Sequence, residues 1–206
     1  MKVNNSLEET IDAYGDDHVG SSATTPLRAD AFELNNPKKV ELIQEKVAEI
    51  LEILGMDLTD DSIKGTPNRV AKMYVNEIFG GLHPDKKPKA STFSNKYKYG
   101  EILVEKNITL YSTCEHHLLP IVGKAHVAYI SKGTVVGLSK MNRIVQYYAQ
   151  RPQVQERLTI QIVEELKQVL GTEDVACVID AKHLCVNSRG IRDISSSTIT
   201  SEFGGL

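Results

Sequence analysis

Apolar positions along the chain change period twice. From Pro37 to Leu54 they recur at three- and four-residue steps, at Val40, Ile43, Val47, Ile50 and Leu54. That is the period of an amphipathic helix, and Gly55 predicts its end. Thr66 and Pro67 predict a second start, with Thr66 as the N-cap and Pro67 in the first turn. Val70, Met73, Tyr74 and Ile78 carry this helix to a stop at Gly80-Gly81. After a Pro/Lys loop at 84–89 the period falls to two. Residues 101–112 and 121–130 alternate and are rich in Ile, Val, Thr and Tyr, which predicts strands, with a turn at Ser131-Lys132-Gly133. Ser139 is placed to cap a third helix with the stripe Met141, Ile144, Val145 and Tyr148, which Pro152 interrupts. A longer helix over about 153–170 closes at Gly171. Strands at about 175–185 and 194–203, the last mostly Ser and Thr, finish the chain. Helices, strands, two helices and strands in that order predict an α+β fold with a mostly antiparallel sheet rather than βαβ winding.

Residues 1–36 stand outside this pattern. They are polar, contain Gly15, Gly20 and Pro26, and predict a mobile acidic arm ahead of a single domain at 37–206. Residues 1–35 hold two basic and seven acidic side chains, so the net charge of −3 divides into −5 for the arm and +2 for the remainder. No basic tract suggests nucleic acid, and no apolar run approaches a membrane span. The first 30 residues lack the features of a secretion signal, so a cytoplasmic location is expected. Three cysteines do not make a secreted disulfide scaffold and are available for other chemistry.

The densest chemical cluster is Cys114-Glu115-His116-His117. A thiolate and an imidazole in C-x-x-H spacing can reach one ion from a single turn, and both suit zinc. His183 and Cys185 offer a second such pair, expected on one face of an extended strand. The alternative is two unrelated buried cysteines with histidines nearby. Cys114, His117 and Cys185 together would leave a fourth position for water, the catalytic rather than the structural arrangement. His116 and His183 would then be proton carriers beside the metal. Cys177 reads as a core residue. Gly137 to Arg143 fails the P-loop spacing, yet Lys140 and Arg143 near a helix N-terminus could hold phosphate; a plain cap with solvated charges is the alternative. Arg69, Lys72, Arg189 and Arg192 could add positive charge. The Gln155-Glu156 pair could read a guanine edge, or be an exposed helix start.

Several strings together closely resemble the GTP cyclohydrolase I family. They are Thr66 to Met73, Ser112 to His117, Gly137 to Val145, Gln150 to Leu158 and Ser188 to Asp193, in the family's order across about 37–206. The resemblance implies a tunnelling fold, in which antiparallel sheets of several subunits close a barrel with helices outside. It implies a homodecamer of two pentamers with active sites at subunit interfaces. The implied reaction converts GTP and water to 7,8-dihydroneopterin triphosphate and formate, an entry step to folate or other pterins. By the family pattern Cys114, His117 and Cys185 hold one Zn²⁺ per subunit, which activates water for attack on C8 of guanine. His183 and His116 match proton-transfer residues, and Ser139 matches a residue near the ribose and phosphates. Gln155 and Glu156 match the guanine-recognition pair. Lys140, Arg143 and Arg189 match the triphosphate cradle, with Arg69 and Lys72 from a neighbouring subunit. Two alternatives stay open: a hydrolase that opens the GTP imidazole ring without closing the pterin, and a non-catalytic protein that binds zinc or GTP.

Overall fold

The computed structural model describes residues 21–205; the part of the expected arm before residue 21 lies outside them. Helix α1 spans Asn36–Ile53, where Asn35 Oδ1 accepts from Lys38 N at 3.0 Å and Pro37 sits in the first turn. Such a cap satisfies an amide that the helix itself leaves unpaired. Helix α2 spans Thr66–Met73. The residue before it, Gly65, holds the cap position, so Thr66 is the first helical residue rather than the cap. The helix continues as a π turn over Tyr74–Ile78 and ends in a 3-10 turn at Gly80–Leu82. Gly81 lies directly on the end of the next helix, its N–H donating to Gln150 O at 3.0 Å; a Cβ there would strike Tyr147 O.

Five strands form the main sheet. They are β2 (Ile102–Cys114), β3 (Pro120–Ile130), β5 (Pro152–Gln153), β6 (Val175–His183) and β7 (Thr198–Phe203), in the order β5-β2-β3-β6-β7. All pairs are antiparallel except the two-residue bridge of β5 to β2. A small second sheet pairs β1 (Thr92–Ser94) with β4 (Thr134–Val136); β1 carries too short a pattern to be legible beforehand. Helices α3 (Leu138–Ala149) and α4 (Gln155–Leu170) cover one face of the main sheet. The core is the layer between, with Leu110, Ile121, Val127 and Ile179 from the strands and Met141, Ile144, Leu158, Ile162 and Leu166 from the helices, all essentially inaccessible. The α+β class with an antiparallel sheet is therefore the architecture.

Two local expectations are corrected. Gly137 is the N-cap of α3 and makes no side-chain cap; Ser139 sits inside the first turn, exposed. The chain also leaves β6 at His183 and turns at once into a four-residue helix, α5 (Leu184–Asn187). Cys185 therefore reaches the site from a helical turn and does not share a strand face with His183.

The opposite face of the sheet carries exposed Val104, Tyr111, Ile199 and Phe203. Helix α1 buries none of its residues; Ile50 of its apolar stripe is exposed, as are Ile53 at its end and Leu54 just beyond it. Among the described residues no helix is long and apolar enough to cross a membrane.

Candidate metal centre and active site

The turn after β2 begins at a buried residue and ends in water. Cys114 is 5% exposed; its N–H donates to Leu119 O at 2.8 Å and its carbonyl accepts from Leu118 N at 2.9 Å. Leu118 closes the turn with φ of 52°, a left-handed conformation that a leucine rarely adopts. Glu115 N donates to Gln153 O at 3.0 Å, so the turn hangs from β5 as well. His116 and His117 are exposed beyond it. The start of α5 places Cys185 opposite. The sulfurs of Cys114 and Cys185 and a ring nitrogen of His117 all lie within 4.8 Å of one another.

The chemistry of this donor set fits a zinc ion. Burial, then the Cys114 thiol beside it, pushes the Cys185 thiol above its ordinary range. Two thiolates this close repel unless a cation lies between them. A divalent ion inverts that balance and holds both deprotonated. Slight burial, then the charge of Arg189 and the His116 ring, holds the His117 imidazole below its ordinary range, which keeps a lone pair open. Arg189 Nη1 is 2.7 Å from His117 Nε2. Zinc with bonds of about 2.0–2.3 Å can gather three such atoms after small side-chain rotations.

A cavity of about 490 Å³ opens beside the group, lined by Cys114, His116, His117, Gln155, Glu156, His183 and Cys185 among others. Ser21 reaches its rim. His183, half-buried at the end of β6, has its Nε2 2.7 Å from Gln155 Oε1. Burial lowers the His183 pKa, and the nearby Glu156 carboxylate opposes that shift. Gln155 is 1% exposed; its amide nitrogen donates to Ile179 O at 3.1 Å, Thr198 O at 2.8 Å and Thr200 Oγ1 at 3.2 Å. The side-chain amide thus faces inward and grips His183, while Glu156, next in the chain, is exposed at the cavity.

The fold brings seven of the thirteen anticipated residues to one cavity and adds Arg189 through His117. Ser139, Lys140, Arg143, Arg69 and Lys72 do not line it. Arg143 is exposed on α3; Arg69 and Lys72 are exposed on α2, where Arg69 Nη2 donates to Thr66 Oγ1 at 3.0 Å. The sequence reading gave no role to Glu115, Gln153 or Arg157, which form a buried polar network behind the turn. The signal was there: Arg157 is a charge beside Leu158 on the apolar stripe of α4. Cys177 is a core residue at 0% exposure, and burial alone pushes its thiol up to about 12.

Comparison with known proteins adds an independent line. A family model described as GTP cyclohydrolase I matches residues 43–206. A GTP cyclohydrolase 1 of Flavobacterium johnsoniae is 73% identical over 203 residues, covering 98% of this chain and 90% of the relative. The enzyme of that name from Klebsiella pneumoniae is 53% identical over 188 residues, covering 91% of this chain and 85% of the relative. Among solved structures, an archaeosine synthase in its apo form shares 18% identity over 53% of this chain and 99% of its own, with a TM-score of 0.44.

Proposed function

The chain belongs to the GTP cyclohydrolase I family, and from that premise we propose that it converts GTP and water to 7,8-dihydroneopterin triphosphate and formate at the cavity around Cys114, His117 and Cys185. The observation that carries the placement is the convergence of those three donors with His183 and Glu156 on one cavity. It is a hydrolase that takes GTP into folate-type biosynthesis.

Cys114, His117 and Cys185 would hold one Zn²⁺ per subunit, and when bound it supplies Lewis-acid activation of water at neutral pH. The Glu156 carboxylate accepts hydrogen bonds from the N1–H and 2-amino group of guanine, which sets C8 toward the ligand group. The Gln155 amide has its nitrogen taken up by β6 and β7, so its part is to hold His183. His183 exchanges a proton with the purine nitrogen as the C8–N bond breaks, and His116 serves a second transfer during ribose rearrangement and ring closure. Arg189 places a fixed cation beside His117 at the mouth.

A triphosphate needs more cations than this protomer brings to its own cavity. Ser139, Lys140 and Arg143 at the start of α3, with Arg69 and Lys72 on α2, would complete the cradle from neighbouring protomers, Arg forks matching phosphate. That supports an intersubunit β-barrel and a decamer of two pentamers. The exposed apolar face of the sheet and the uncovered stripe of α1 support the same assembly. The three free thiols suit a reducing, cytoplasmic setting, since Cys114 and Cys185 must stay reduced to bind metal.

The test is turnover of GTP by zinc-quantified protein, reading formate and oxidised-pterin fluorescence together. Equal amounts of both products are expected, and Cys185→Ala abolishes zinc binding and both products. Formate without pterin would show ring opening alone; a metal-free, active Cys185→Ala would remove zinc from the reaction.

A further inference from the structure

Arg157 stands two residues beyond Gln155 on α4, and its side chain is 3% exposed. Each of its nitrogens has an acceptor. Nε donates to Gln153 Oε1 at 2.9 Å and Nη1 to Ser22 O at 3.1 Å; Nη2 donates to the Glu115 carboxylate and to Pro152 O at 3.3 Å. Gln153, itself fully buried, passes the network on to Tyr148 O and Gln161 Oε1 at 2.8 and 2.9 Å. Glu115 is the residue between Cys114 and the two histidines. One ion pair, buried at Arg157 and half-buried at Glu115, therefore joins the turn that carries two of the three candidate metal donors to the helix start that carries Gln155 and Glu156. Neither member lines the cavity.

A buried ion pair is a poor way to gain stability, because desolvating both charges offsets most of their attraction. It is an effective way to set geometry, since the planar guanidinium fork fixes the direction of its carboxylate. The turn needs such a fixture. Backbone hydrogen bonds hold its start at Cys114 and Glu115 and its end at Leu118, and between them stand the exposed His116 and His117. The Glu115 side chain, gripped from behind by a buried cation, ties this turn to α4 two residues before His117.

We propose that Glu115 and Arg157 are positioning residues that hold the metal-ligand turn in register with the guanine-reading end of α4, so that metal affinity and turnover both depend on the pair. This rests on the reading that Cys114, His117 and Cys185 hold zinc. Metal sites depend on such outer partners, whose loss weakens binding about 10- to 100-fold.

The test uses the full chain and three readouts: zinc affinity by competition with a chromophoric chelator, melting of the metal-free protein, and steady-state kinetics with GTP. Glu115→Gln is expected to weaken zinc binding about 10- to 100-fold. At saturating zinc its kcat falls by a similar factor, about 10- to 100-fold, through misplacement, while KM for GTP moves by less than about threefold. That variant leaves Arg157 buried without its carboxylate and can fold poorly. The double variant Glu115→Gln with Arg157→Met removes the orphaned charge; it is expected to recover the melting temperature and not the zinc affinity. Zinc affinity equal to that of the unchanged chain, in either variant and at any melting temperature, overturns the proposal. The unchanged chain separates this from the reading beneath it: tight zinc binding there, with no loss in the variants, removes the strut alone, whereas no zinc binding there removes the metal assignment itself.

Discussion

The Gln155 amide settles which nitrogen of His183 carries a proton. Its nitrogen donates to two backbone carbonyls, Ile179 O and Thr198 O, which fixes the orientation of the amide. Oε1 must then be the atom facing His183, so Nε2 of the imidazole donates and Nδ1 is left as the acceptor. Gln155→Leu keeps the bulk, removes that acceptor and frees the ring. The expected result is a kcat about 10- to 100-fold lower, the scale of a disturbed general acid–base group, with zinc content unchanged. A kcat equal to that of the unchanged protein would mean His183 needs no such grip. The thiols give a second expectation at this scale. In metal-free native protein a thiol-specific chromogenic reagent at pH 9 should modify Cys114 and Cys185 slowly through the cavity they line, the Cys185 thiol being pushed up to about 11. Cys177, sealed in the core with its thiol pushed up to about 12, should react only on unfolding. Adding zinc first should protect the reactive pair; three reactive thiols in the native protein would contradict the core placement. The candidate donors were legible in the sequence because two Cys-His pairs in one chain suggest two halves of one site. The inward turn of Gln155 was not, because nothing in a Gln-Glu pair says which side chain faces a cavity and which faces a sheet.

Elements were legible where one face is buried and one is not. The long alternation of β2 and β3 and the stripe of α4 read true because each packs against a single neighbouring layer. Junctions were less so. The passage from β6 to α5 occurs within Val-Ile-Asp-Ala-Lys-His-Leu-Cys, where an alternating pattern continues through the change of backbone, so period alone extends the strand. The π turn after α2 keeps an apolar helical pattern while changing its pitch, and it too escapes a period-based reading. Between β3 and β6 the spacing is set at Gly123, opposite Ala181 and two pairs from His183. A Cβ there would collide with Asp180 O and with Ala181. Gly123→Ala should therefore push β6 outward, costing about 1–3 kcal/mol in urea unfolding and lowering turnover through His183. An unchanged unfolding midpoint would show that the two strands can separate at no cost.

At the scale of the whole molecule, the proposed site is divided between protomers rather than complete in one. One protomer's cavity holds the candidate metal donors and Glu156; its α2 and α3 present cations that this cavity does not receive. This division predicts complementation. A Cys185→Ala protein and a Lys140→Ala, Arg143→Ala protein should each be inactive alone. Rings assembled from an equal mixture should regain activity, because a site drawing on two protomers finds both halves intact in about one case in four. No recovery in mixed rings of the expected mass would place all the residues within one chain's own site. The uncovered apolar sheet face points the same way, and it was foreshadowed by the polar last strand, which made a poor core strand in the sequence. What the sequence could not state is which loose surface meets which, since the pattern of one chain is blind to its copies.

Strand β7 has one more consequence. Among the described residues it pairs with β6 on one side only, so its outer edge offers unpaired amides and carbonyls. Its sequence, Thr-Ile-Thr-Ser-Glu-Phe, sets hydroxyls and a carboxylate among its apolar residues, a mixture that discourages indiscriminate pairing. On the proposed assembly, a newly made protomer thus has a period of grace: it can diffuse alone until a like chain arrives, without sticking to whatever strand it meets first.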